Sequence, residues 1–126
     1  MQGALFEMSG AEGYDSETFI RVFMRSKIAE GLDSDFDYTQ WAGKEYIMER
    51  MKEEYPEGFS QKGIVFDSET LYWAGYLYRY WHFYTGESSK DIYKQANAQT
   101  VNTMYYGYHT LDIEMAIDRL KEAKKK

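Results

Sequence analysis

The chain has no cysteine, one proline and two histidines in 126 residues. Without cysteine there is no disulfide framework, no thiolate metal ligand and no thiol nucleophile, and an intracellular, cytoplasmic setting fits. No stretch of eighteen apolar residues occurs, so no membrane-spanning segment is expected. No basic region followed by an apolar stretch marks a signal peptide. Also missing are a phosphate-cradling glycine loop, a dinucleotide fingerprint, a Gly-x-Ser-x-Gly elbow and the Glu-x-x-His pair of carboxylate di-iron bundles. Nothing points to a cofactor, and none is expected.

What is present is aromatic. The chain holds 13 tyrosines, 7 phenylalanines and 3 tryptophans, and 44 % of it is hydrophobic. That is enough to build a core in a single domain. Tyrosine packs as an apolar ring but brings a hydroxyl that needs a partner, so such a core is threaded with hydrogen bonds. Net charge is −6, unevenly spread: residues 1–60 carry 13 acidic and 6 basic side chains, residues 61–126 carry 8 and 9. An acidic first half opposes unaided binding to nucleic acid, which needs clustered Lys and Arg. It reads either as a solvated surface or as a face that meets a basic partner.

Periodicity predicts helices throughout. Residues 1–14, with Gly3, Gly10 and Gly13, show little of it and read as a loose N-terminal arm; residues 15–126 form the helical domain. Asp15-Ser16-Glu17-Thr18 caps a first helix, with apolar positions at Phe19, Ile20, Phe23, Met24 and Ile28, and Gly31 ends it. A second runs from about Thr39 to Tyr55, with Trp41, Ala42, Glu45 or Tyr46, Met48 and Met51 on its stripe, and stops at Tyr55-Pro56-Glu57-Gly58. Ile64-Val65-Phe66 could extend, but as a lone strand it has nothing to pair with. Asp67-Ser68-Glu69-Thr70 repeats the first cap letter for letter and opens a third helix, about 68–85, bounded by Gly86. Ser88 and Asp91 start a fourth. Residues 98–106 continue as helix until Gly107 breaks it, and Thr110 or Asp112 caps a last helix on Ile113, Ala116, Ile117 and Leu120. The fold class is therefore all-α: a compact single-domain bundle of five or six helices around a central aromatic-rich helix at about 68–85.

That central helix holds the concentrated chemistry. Eight of the thirteen side chains from Tyr72 to Tyr84 are aromatic, with Arg79 and His82 among them. A helical wheel places Trp73, Tyr76, Leu77, Tyr80, Trp81, Phe83 and Tyr84 on one face, taken as the core face. The other face carries Tyr72, Gly75, Tyr78, Arg79 and His82. A mid-helix glycine costs about 1 kcal/mol against alanine, and Gly75 lies one turn before Arg79, where it opens room beside the guanidinium. Two readings of this face stay open. In one, further helices cover it: Gly75 marks close packing, Arg79 meets carbonyls or a buried carboxylate, and His82 meets a tyrosine. In the other it is a pocket or interface patch, binding through Tyr72, Gly75, Tyr78, Arg79, His82 and His109, with arginine gripping a carboxylate or small anion.

His109 follows a second aromatic knot, Tyr105-Tyr106-Gly107-Tyr108. Two histidines 27 residues apart do not make a metal site by spacing, and no metal is expected. Asp33-Ser34-Asp35-Phe36-Asp37 begins like a calcium loop, but the sixth and twelfth positions are Tyr38 and Lys44 where Gly and Glu are needed, so that reading fails. No catalytic residue is assigned.

The stretch from Tyr78 to Lys94, with Tyr108-His109-Thr110-Leu111-Asp112 and Gln40-Trp41-Ala42-Gly43-Lys44-Glu45-Tyr46-Ile47-Met48, resembles a family of small uncharacterised proteins of Gram-positive (Firmicutes-type) bacteria. The resemblance covers roughly residues 17–120. It implies a setting in toxin–antitoxin-like gene clusters, and it carries no functional residues. The expected function is a non-enzymatic, acidic protein-binding module, antitoxin-like or otherwise inhibitory or regulatory, with a toxin-like protein as its partner. The alternative is a small-ligand or nucleotide-related enzyme or sensor that uses an Arg79/His82 pocket.

Overall fold

The computed structural model describes residues 1–34, 43–59 and 62–125. Among them the chain forms α1 (Gln2–Ala11), α2 (Ser16–Met24), α3 (Lys27–Asp33), α4 (Lys44–Glu54), a single 3-10 turn (Pro56–Phe59), α5 (Ser68–Thr85), α6 (Ser89–Gln95), α7 (Ala98–Tyr108) and α8 (Ile113–Lys125). The all-α class holds, with eight helices instead of five or six and no strand among the described residues. Trp41, Ala42 and the aspartates of the rejected calcium loop beyond Ser34 lie outside the described residues. None of the described helices is long and apolar enough to cross a membrane.

Three extra boundaries explain the count. The expected first helix is two, because Ser26 turns the chain: its hydroxyl donates to the Phe23 carbonyl at 2.6 Å and accepts from the Ala29 amide at 3.1 Å, so it ends α2 and caps α3. Asn97 caps α7 in the same way, accepting from Thr100 N, and separates it from α6. Gly107, expected to break this helix, stays within its last turn.

The third boundary is α1 itself. The supposed loose arm is a helix packed along α5, its most extensive helix partner. Leu5 and Phe6 are fully buried, worth roughly 1.5–3 kcal/mol each. Phe6 meets Phe19, Phe23 and Tyr78 edge-to-face, with ring centroids 5.5–6.2 Å apart. Gly3 of the supposed arm and Gly75 of α5 are the contact surface: a Cβ on Gly75 would lie 2.5 Å from the Gln2 carbonyl oxygen, and one on Gly3 would lie 2.7 Å from the Tyr72 carbonyl oxygen.

The duplicated Asp-Ser-Glu-Thr segments do different work. Asp15 caps α2, accepting from the Thr18 amide at 3.0 Å and its hydroxyl at 2.7 Å, whereas Asp67 makes no side-chain cap bond. The extended residues near Ile64 find their partner at that first cap. Ile64 N donates to Asp15 Oδ1 at 3.0 Å, Ser16 N to the Ile64 carbonyl at 3.0 Å, and Phe66 N to Ser16 Oγ at 2.9 Å.

The faces of α5 are not those the wheel predicted. Leu71, Ala74, Gly75, Leu77, Tyr78 and Trp81 are buried, while Tyr76, Phe83 and Tyr84, expected in the core, are exposed with Tyr72. In α4 the buried positions are Ile47, Met48 and Met51, and Tyr46 points outward. In α8 they are Ala116, Ile117 and Leu120, as the stripe predicts.

Candidate functional site

Arg79 is at the junction of α1, α3, α5 and α6. Its Nε donates to Gln2 Oε1 at 2.9 Å and its Nη1 to Asp33 Oδ1 at 2.7 Å, and its Nη2 lies 3.4 Å from Ser89 Oγ. Asp33, the last residue of α3, also accepts from the Ser89 hydroxyl at 2.8 Å and the Ser89 amide at 2.7 Å. Burial pulls the guanidinium below the usual arginine pKa, and the adjoining Asp33 carboxylate pulls it back up. The room that Gly75 leaves is taken by the α1 backbone, and the fork beside it holds the protein's own carboxylate. Of the two readings of this face, the covered one describes Gly75 and Arg79.

The other named residues divide. His82 is half-buried; its Nδ1–H donates to the Glu87 carbonyl at 2.7 Å and lies 3.7 Å from Asp33 Oδ1. Its partner is a backbone carbonyl, not a tyrosine. Tyr78 is buried, its hydroxyl donating to the Ala96 carbonyl at 2.7 Å, and burial pushes its pKa well above the usual phenol value. His109 is exposed at the end of α7, stacked on Tyr105 at 4.3 Å with its Nδ1–H on the Tyr105 carbonyl. So Arg79 and His82 converge on Asp33, while Tyr78 and His109 lie apart from them. Among the described residues no three His, Asp or Glu side chains gather as metal ligands would.

What lies open is the far side of α5. Tyr72, Tyr76, Phe83 and Tyr84 are 48, 48, 71 and 41 % exposed. On the wheel Tyr72, Phe83 and Tyr76 fall within about 40° of one another. Tyr76, Tyr80 and Tyr84 stand one above the next, with centroids 6.0 and 6.4 Å apart. The border is acidic and comes from α8: Tyr80 donates to Glu114 at 2.7 Å and Tyr84 to Asp118 at 3.1 Å. At the α1 side the face dips into two adjoining cavities of about 200 and 240 Å³. Both are lined by Met1, Gln2, Arg79 and Phe83; Tyr72 and Tyr76 wall the first and Leu32 the second.

Sequence reasoning named Tyr72 and Arg79 at this cleft but missed Gln2 and Phe83 there, and missed Asp33 and Ser89, which hold Arg79. Phe83 was assigned to the core. Gln2 belonged to a segment without a continuous apolar stripe, because the buried face of α1 includes Gln2, Gly3 and Ser9. Asp33 carried a signal only as a buried carboxylate that Arg79 would need.

No protein-family model matches the chain, and neither a curated protein nor a solved structure matches it.

Proposed function

We propose that this protein is a non-enzymatic binding module that docks a basic protein partner through the outward aromatic face of α5, in the manner of an antitoxin or another inhibitory subunit. One observation carries the reading: four large rings, Tyr72, Tyr76, Phe83 and Tyr84, stand in solvent along one side of the central helix. Contiguous exposed aromatic surface is a mark of interfaces, and tyrosine is among the residues most enriched at their energetic centres. Charge sets the partner's chemistry. Glu114 and Asp118 border the rings, and the first sixty residues are strongly acidic, so a basic surface is complementary. The enzyme or sensor reading needs an open Arg79, and that guanidinium is already ion-paired to Asp33 at 2.7 Å.

The test is co-expression with the products of adjacent genes, followed by size-exclusion chromatography. One of them is expected to co-elute, burying at least about 1,000 Å², and the complex is expected to weaken with salt. Replacing Tyr76 and Phe83 together by serine should dissociate it, with an unchanged circular-dichroism spectrum showing that the fold is intact. If the double variant bound as tightly as the parent chain, or if no adjacent product bound at all, the reading would be wrong.

A further inference from the structure

Gln2, a lining residue of the cleft between the first turn of α1 and the aromatic face of α5, carries an unmet donor. Gln2 is 2 % exposed, and its Nε2 has no hydrogen-bond partner among the described residues. The amide cannot be turned to hide this, because its oxygen already accepts the Arg79 Nε–H at 2.9 Å. A buried donor left unpaired is unfavourable, and native structures hold few of them. Gln2 lines both cavities of the cleft, and so do Met1 and Phe83, which are 49 and 71 % exposed and can turn aside as an occupant enters.

We propose that this cleft is the anchor pocket of the docking face: it takes an aromatic side chain of the partner whose adjoining main-chain carbonyl accepts from Gln2 Nε2. The proposal rests on the protein-binding reading and specifies what enters. Three observations fix the chemistry. The walls are apolar and aromatic: Leu32, Phe83, Tyr72 and Tyr76. The unpaired group is a donor, so the entering group must offer an acceptor. Arg79, which lines both cavities, is already ion-paired with Asp33, so a neutral acceptor suffices. A peptide carbonyl beside a ring satisfies all three.

The experiment uses the full chain, isotope-labelled, and the probe N-acetyl-L-phenylalaninamide, read by nuclear magnetic resonance. The Gln2 side-chain amide resonances should shift saturably. Toluene, which has the ring without the carbonyl, and phenethylammonium, which has a cation instead, should bind more weakly. Gln2→Glu keeps the side chain's length and the oxygen that accepts from Arg79 Nε while removing the donor, and should weaken the probe about tenfold. If that variant does not fold, the parent's Gln2 resonances decide alone. Unmoved Gln2 resonances, or equal binding of toluene and the amide, would overturn the proposal. The probe needs no partner, so failure to find a partner and failure of the pocket give different results.

Discussion

α1 and α8 flank the same helix and hold it by opposite means. Against α1, α5 offers Gly75 and receives Gly3, and the two backbones meet with no room for a Cβ at either position. Against α8 it offers tyrosine hydroxyls, which reach Glu114 and Asp118 at 2.7 and 3.1 Å. Below them the Trp81 indole N–H donates to Glu87 at 3.0 Å, and Lys121 of α8 meets the same carboxylate. The first contact is close and steric at its centre, with the Arg79–Gln2 and Ser68–Glu7 hydrogen bonds on either side. The second is polar. A helix this rich in rings cannot bury them all, and what decides the face is where a neighbour can come closest. Glycine, the poorest helix former after proline, marks that place.

The largest expected effect breaks the steric side. Gly75→Ala gains helix propensity of about 1 kcal/mol but drives a methyl against the Gln2 carbonyl, 2.5 Å away. Overpacking against backbone costs more than the propensity returns, and a net loss of about 2 kcal/mol is expected in urea denaturation. Gly107→Ala is the control. It lies in the last turn of α7 with nothing within 4 Å of the added Cβ, so it should stabilise by up to about 1 kcal/mol. If the two alanines behaved alike, the steric account of the α1 contact would fail.

A smaller effect tests the polar side through pH. Burial works to raise the Glu87 pKa, but hydrogen bonds from Lys121, Trp81 and Gln95 outweigh it and hold it at about 2, against an ordinary 4.5. A depressed carboxylate stabilises the fold above its unfolded pKa, and that contribution is lost as pH falls through the folded value. Glu87→Gln should therefore lower stability at neutral pH. Solvent at the carboxylate's open edge screens these bonds, so the loss is about 1–2 kcal/mol. The gap in Tm between the two proteins should close from about pH 4.5 down to about pH 2. A gap of constant size across that range would mean that Glu87 acts by shape and not by charge.

The same contrast explains what was legible in the sequence. The C-terminal end of α5, the Ser88 cap and the stripe of α8 follow from local chemistry: a left-handed Gly86 at φ 79°, a serine hydroxyl taking the Asp91 amide, apolar residues at helical spacing. α1 was hidden because its buried face is made of Gln2, Gly3, Leu5, Phe6 and Ser9. Small and polar residues that pack by fitting against another backbone leave no apolar period. The inward and outward sides of α5 were misread for a related reason. Rings lie all round it, so the pattern alone does not choose a face; of the two readings of Gly75, a notch for Arg79 or a mark of close packing, the second holds, at the point where α1 docks. The Arg79 site was half legible. The need for a carboxylate partner could be stated, but Asp33 lies 46 positions away, and only the fold brings it there.

The smallest effect isolates a single bond on the α8 side. The Tyr80 hydroxyl donates to Glu114, and this bond, aided by burial and by the negative charge of Glu114 itself, raises the phenol pKa from 10.0 to about 12. A raised phenol pKa contributes stability below about pH 10, and that contribution disappears as pH rises through about 12. The expected signature is spectroscopic. Phenolate absorbance in the parent chain should include a late-titrating step that Tyr80→Phe removes. Glu114→Gln should keep the ring and move that step down toward pH 10, because the phenolate then faces an amide instead of a carboxylate. Superimposable titrations of the parent and Glu114→Gln chains would show that the tyrosine ladder stands without its acidic border. The charge argument for a basic partner would then rest on the first sixty residues alone.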